Sequence, residues 1–197
     1  MPRQLRPLTE AKQRGARVMD MNAPTVTLLF TLGSAALLAA ALPVTPSSVQ
    51  LKGLTPQQAL ARANQWRSAG GLQSHVTSEA IVFKFPDGQQ SSVALPARQM
   101  VVAIAPYVNQ THPCKTHFMS GCQGEMVNTA VAVLVKNQAG KTVLNKTMKT
   151  MANGFLELWL DRSQHYKVTL TAQGKTTRGT LATLPSSDTC VTTLQLR

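Results

Sequence analysis

Between Thr111 and Cys122 the chain reads THPCKTHFMSGC, and this stretch holds two of its three cysteines and two of its four histidines. Thiolate and imidazole together select the soft end of the metal series, Cu(I) first and Zn(II) second. The spacing is C-x2-H-x4-C, running from Cys114 through His117 to Cys122, with a third sulfur at Cys190 far downstream. Zinc knuckles use short C-x2-4-C pairs, which this pattern lacks. A three-sulfur set of Cys114, Cys122 and Cys190 suits Cu(I), with His112 and His117 as auxiliary ligands or an entry relay. Met119 is expected to pack against a sheet instead. The competing chemistry is a structural disulfide with a spare thiol. By chain entropy a Cys122–Cys190 bridge would add about 4.4 kcal/mol and a Cys114–Cys122 bridge about 2.5 kcal/mol. A disulfide alone leaves the two neighbouring histidines unexplained.

Other residues offer less. His75 and His165 stand alone in the sequence and are expected to be surface or hydrogen-bonded residues. Trp66 and Trp159 fall at packing positions. Glu125, just beyond the cluster, suits an acceptor for an imidazole N–H or an exposed carboxylate at a strand start. Lys115 would help keep a neighbouring thiol ionised. Glycine-rich phosphate loops, paired catalytic carboxylates and a serine elbow are absent, so the chain is not expected to be an enzyme. The formal net charge is +12 over 197 residues, yet five of the twenty basic residues precede the apolar segment. No stretch interleaves aromatic with basic residues as a base-stacking surface would, so nucleic acid is not an expected partner.

Thr25 to Leu42 is uncharged and follows a basic leader, ending in Ala39-Ala40-Ala41 before Pro43. Residues 1–42 are therefore expected to be a signal peptide with a basic leader, and the only membrane association expected is through that segment if it stays uncleaved. Export makes an odd number of cysteines notable, because oxidising compartments drive thiols into pairs.

The elements that must carry the cluster follow from patterning. Residues 43–53 have the Pro and Ser content of a linker. Thr55, Pro56 and Gln58 form a capping-box start for a helix running to Ala69-Gly70-Gly71, with Leu54 and Ala59 placed to staple it. Ala80–Phe85 and Ser91–Leu95 flank a Pro86-Asp87-Gly88-Gln89 turn and predict a hairpin. Residues 54–97 are thus a small helix-plus-hairpin N-terminal domain. From 98 to 197 seven strands are expected: 100–105, 126–136, 143–150, 155–160, 166–172, 176–184 and 190–196. Asn153-Gly154 is the strongest short hairpin signal among them. The fold class is mostly β with a small α/β N-terminal part and an antiparallel, sandwich-like C-terminal domain that carries the metal ligands.

Three segments carry a family likeness: APYVNQTHPCKTHFMSGCQGE, NGFLELWL and DTCVTTLQL. Together, over about residues 50 to 197, they resemble the CueP family of periplasmic copper-binding, copper-resistance proteins. The resemblance implies a two-part protein that sequesters copper in the periplasm and passes it to Cu,Zn superoxide dismutase, and it implies a homodimer. The family's three cysteines map onto Cys114, Cys122 and Cys190, and its motif histidines onto His112 and His117. The long basic leader and the lack of a lipid-modified cysteine are departures. The rival class is a periplasmic thiol–disulfide or copper-reducing redox protein, although no C-x-x-C helix start is present.

Overall fold

The computed structural model describes residues 44–197, and the expected signal segment lies outside the described residues. Two helices, α1 (Pro46–Val49) and α2 (Pro56–Gln65), precede eleven strands. These are β1 (Gln73–Val76), β2 (Ala80–Lys84), β3 (Gln90–Ala94), β4 (Gln99–Ile104), β5 (His117–Phe118), β6 (Ala130–Asn137), β7 (Thr142–Lys149), β8 (Leu156–Asp161), β9 (His165–Ala172), β10 (Lys175–Ala182) and β11 (Cys190–Val191). They form three sheets, ordered β3-β2-β1-β5, β10-β9-β6-β7 and β11-β4-β8.

The fold is mostly strand with few helices, as the sequence predicts. The Thr55 hydroxyl accepts from Gln58 N, and the Gln58 side chain returns a bond to Thr55 N at 2.9 Å, so the capping box forms. Helix α2 stops at Gln65, short of the Gly70-Gly71 signal, with Trp66 as its C-cap. The β2–β3 hairpin pairs Ala80 with Ala94 through Lys84 with Gln90. On β6 and β9 the buried residues alternate strictly, and Val131, Val133, Val135, Val168 and Leu170 face one core.

Strand β4 does not alternate: Met100 through Ile104 are all buried. Both faces of its sheet are covered, which removes any reason for a polar face. Val102 and Ile104, with Leu156, Leu158 and Leu160 of β8, pack on the four-stranded β10-β9-β6-β7 sheet. Val101 and half-buried Trp159 point to the opposite side and join α2, β1 and β2 in a second core.

Three expectations change. Residues 43–53, read as a linker, contain helix α1, and Val49 and Leu51 are buried in the second core. The helix-plus-hairpin segment and the following strands share that core and share a sheet, because β5 pairs with β1; residues 44–197 lie in one compact unit. A fifty-residue piece buries too little surface alone and borrows apolar partners such as Val101 and Met119. The turn at Asn153-Gly154 forms, with Gly154 at φ +79°, but it does not close a hairpin. Strand β7 pairs with β6 while β8 pairs with β4, so the turn carries the chain from one sheet to another. Strand β11 is parallel to β4, the one parallel strand pair among the described residues.

Candidate metal centre

The cluster loop is tied down at both ends. Glu125 accepts from the backbone N–H of Val108 at 2.6 Å and of Asn109 at 2.9 Å, and from Asn109 Nδ2 at 3.0 Å. Burial opposes its charge, but these donors win and hold the carboxyl below its usual range. Glu125 is therefore an exposed loop clasp, and of the two readings open to it the imidazole acceptor does not form. Gly124 closes the other end, its N–H donating to Asn153 O at 2.7 Å; a Cβ on Gly154 would meet Gly124 O at 2.6 Å. That close approach requires two glycines.

Between these clasps the loop bends so that Cys114 Sγ and Cys122 Sγ lie 3.3 Å apart. Cys190 arrives through strand pairing. Its N–H and that of Thr189 both donate to Lys115 O, at 3.1 and 2.9 Å, stitching β11 to the loop. In register, Ala103 of β4 stands between Glu157 of β8 and Cys190 of β11. These three form one cross-strand row, and the small alanine leaves room above itself for the loop's sulfurs and imidazole. Cys122, Cys190, Ala103, Ala105 and Phe155 make up a small third core, with Cys114 packed at its margin.

Five predicted ligands fall into two overlapping sets. The ligand atoms of His112, Cys114 and Cys122 lie within 4.8 Å of one another, as do those of His117, Cys122 and Cys190. Cys122 belongs to both. Phe155, fully buried, has the His117 ring 4.6 Å away and the His112 ring 6.4 Å away, and so spaces the two imidazoles. None of the three cysteines is in a disulfide.

The family model for the periplasmic copper-binding protein CueP matches residues 58–195. The chain belongs to the CueP family. A solved structure, the crystal structure of S.CueP, is 32% identical with a TM-score of 0.71, covering 77% of this chain and 96% of that one. No curated protein matches the chain. Family membership makes this a periplasmic copper-binding protein, and the comparisons name copper and not zinc.

The electrostatics of this CueP-family cluster favour one anion shared among three sulfurs. The neighbouring Cys190 thiol, against the effect of burial and with help from His117 and Phe118 N–H, pulls the Cys122 thiol down to about 3. The proximity of Cys122, with burial, pushes Cys190 far up. Burial lifts Cys114 to about 11. Cys122 is thus a thiolate flanked by two thiols. Lys115 is exposed and contributes its carbonyl, not its charge, to this arrangement.

His117 is fully buried, with Nε2 at 3.3 Å from Glu157 Oε1. Burial opposes its protonation, yet the Cys122 thiolate and Glu157 together raise its pKa. Its Nδ1 is buried and has no hydrogen-bond partner, and the same is true of His112 Nε2. An orphaned imidazole nitrogen on a histidine grouped with two sulfurs is the arrangement expected of a lone pair reserved for a metal. Sequence reasoning missed Glu157, which Asn64 Nδ2 holds from α2 at 2.9 Å. It also missed Thr189, whose hydroxyl accepts from His117 N at 3.0 Å and donates to Val76 O at 2.8 Å. The alternation of ELWLD was the available signal for Glu157, since it sets that carboxylate on the face opposite the leucines.

The remaining candidates stay apart from the sulfurs. Met119 is fully buried in the second core, as expected of a packing residue. His75 stacks on Phe118 with ring centroids 5.0 Å apart, and His165 is exposed at the start of β9. Trp66 and Trp159 both pack into the second core.

Proposed function

We propose that the protein captures Cu(I) in the periplasm through Cys114, Cys122 and Cys190, with His117 and His112 assisting, and passes it to a periplasmic cuproenzyme such as Cu,Zn superoxide dismutase. One observation carries this reading: Cys122 and Cys190, from distant parts of the chain, converge with His117, whose Nδ1 is buried and unpartnered, and Cys122 is shared with a second set made by Cys114 and His112. Sulfur and imidazole donors fit a soft monovalent ion, and the absence of a carboxylate in either ligand set disfavours harder cations. The recipient enzyme and a homodimeric state enter through the family resemblance.

The test is a competition titration of reduced protein against a Cu(I) chelator. Tight one-to-one binding is expected, and Cys122→Ser, which removes the ligand common to both sets, should abolish it. Unchanged affinity in Cys122→Ser would refute the three-sulfur site.

The Cys114–Cys122 separation of 3.3 Å favours a second reading, in which that pair is a redox couple. The Cys114 thiol and the Cys122 thiolate, reducing two Cu(II) to two Cu(I), would leave one disulfide and release one proton. Metal-free protein that reduces Cu(II) with loss of two thiols per disulfide formed would support it.

A further inference from the structure

The three sulfurs are not equally reachable. Cys122 and Cys190 keep 6% and 2% of their surface, and the floor of the cluster is sealed by Phe155 and His117, both at 0%. Cys114 is only half buried. A solvent-open cavity of about 250 Å³ leads to Cys114 and Cys190, walled by Thr180 and Ala182 on β10, by Ser187 and Asp188, and by Thr192 and Thr193. Its far wall is fixed. Ser187 N–H donates to Leu184 O at 2.9 Å and its Oγ accepts from Leu184 N at 3.0 Å, so the rim turn is closed on itself. Thr189 and Cys190 are pinned to Lys115 O, and Thr111 Oγ1 donates to Thr192 O at 2.6 Å.

The chemistry of the walls is as informative as their shape. Apart from the two cysteines they offer hydroxyls, small apolar groups and one carboxylate, Asp188. None of those holds Cu(I) well, so the passage has no soft ligand at which copper would stall. The cavity is smaller than the pockets of about 300–1,000 Å³ that enclose drug-sized molecules. It has room for one extended side chain and not for a rigid chelating unit.

We propose that copper enters and leaves through this opening with Cys114 as the outermost ligand, and that the exchange partner is a single thiol or thioether, either a small free thiol or one protruding Cys or Met side chain. This rests on the copper-binding reading above. A partner that must present two fixed ligands at once cannot reach the ion without first opening the rim.

The test uses copper-loaded protein and two acceptors, free cysteine and the bulky chelator bathocuproine disulfonate, followed by stopped flow. Thr180→Trp and Thr193→Trp each place an indole among the residues that line the cavity, both at exposed positions that tolerate a large side chain. Each should slow transfer to cysteine by about tenfold while equilibrium affinity stays unchanged. Transfer from the unmodified protein to the chelator should be independent of chelator concentration, because opening of the rim sets its rate. Two folded variants with normal affinity and normal transfer rates would overturn the proposal, as would a chelator rate that rises linearly with concentration. Failure of the unmodified protein to bind Cu(I) would instead overturn the function on which the proposal rests. A thermal melt on each variant identifies one that fails to fold, and the other then decides.

Discussion

Replacing Glu157 tests whether the imidazole is held for a metal or merely packed. His117 Nε2 meets Glu157 Oε1 at 3.3 Å, with side-chain exposures of 0% and 10%, so water screens the pair weakly. Loss of such a partner costs about 10- to 100-fold in metal affinity, or about 1.4 to 2.7 kcal/mol. The 3.3 Å separation is longer than the roughly 2.7–2.9 Å of a strong charge-assisted bond, which places the conservative change at the low end. Glu157→Gln keeps an oxygen facing the ring and should weaken Cu(I) binding about tenfold. Glu157→Leu removes the acceptor altogether and leaves Asn64 Nδ2 with Leu60 O, at 3.1 Å, in place of the carboxylate now at 2.9 Å, so its loss should approach 100-fold. Chelator competition gives the affinities, and long-range proton–nitrogen NMR of the His117 ring gives the tautomer. The unmodified protein should carry its proton on Nε2, and the leucine variant should lose that preference. Affinities of both variants within about twofold of the unmodified protein, with the tautomer unchanged, would refute the idea that Glu157 sets His117.

Two further changes probe the clasps that shape the loop. Gly154→Ala adds a Cβ at φ +79° and 2.6 Å from Gly124 O, a backbone atom that cannot swing aside, and should cost about 3 kcal/mol in urea denaturation; a loss below about 1 kcal/mol would show that the two glycines are not closely apposed. Glu125→Gln should lower the melting temperature at neutral pH by only about 1–2 °C, because solvent screens this exposed carboxylate and leaves its contribution at about 0.5 kcal/mol. Because the folded protein depresses the Glu125 pKa, that stabilisation is present above the usual carboxylate range and fades as pH falls through the folded value. The melting curves of the two proteins should then converge in acid, and a difference that persists there would rule out the charge as its source.

Much of the fold was legible because it follows local rules. The central strands β6 and β9 of the four-stranded sheet alternate since one face is wet and one dry, and the hairpins at Pro86-Asp87-Gly88 and Gln138-Ala139-Gly140 obey turn chemistry. What escaped was pairing across distance. Strand β1, QSHV, is too short and polar to announce itself, and β5 has two residues. Asn153-Gly154 fixes the backbone of a turn but not the identity of the strands beside it. Strand β8 left β7 for β4 because Leu156, Leu158 and Leu160 gain a second apolar layer there.

The site divides the same way. Soft ligands crowded into one loop were visible from residue types alone, as was the need for Cys190 to join them. The position of Cys190 depends on a parallel pairing with β4 and on the Lys115 carbonyl, neither of which leaves a periodic trace. Glu157 is the instructive omission. On an ordinary sandwich the face of β8 opposite its leucines would meet solvent, and a glutamate there would count as surface. Here α2 covers that face, so the solvent side of the sandwich becomes the interior wall of the site: Asn64 reaches down from the helix to Glu157, Glu157 to His117, and the row Glu157, Ala103, Cys190 crosses the sheet beneath the sulfurs. The helix and hairpin that seemed an appendage therefore determine the chemistry of a centre whose cysteines all lie outside them. Truncation at residue 97 would leave every sulfur in place along the chain while removing the cover that makes the pocket dry.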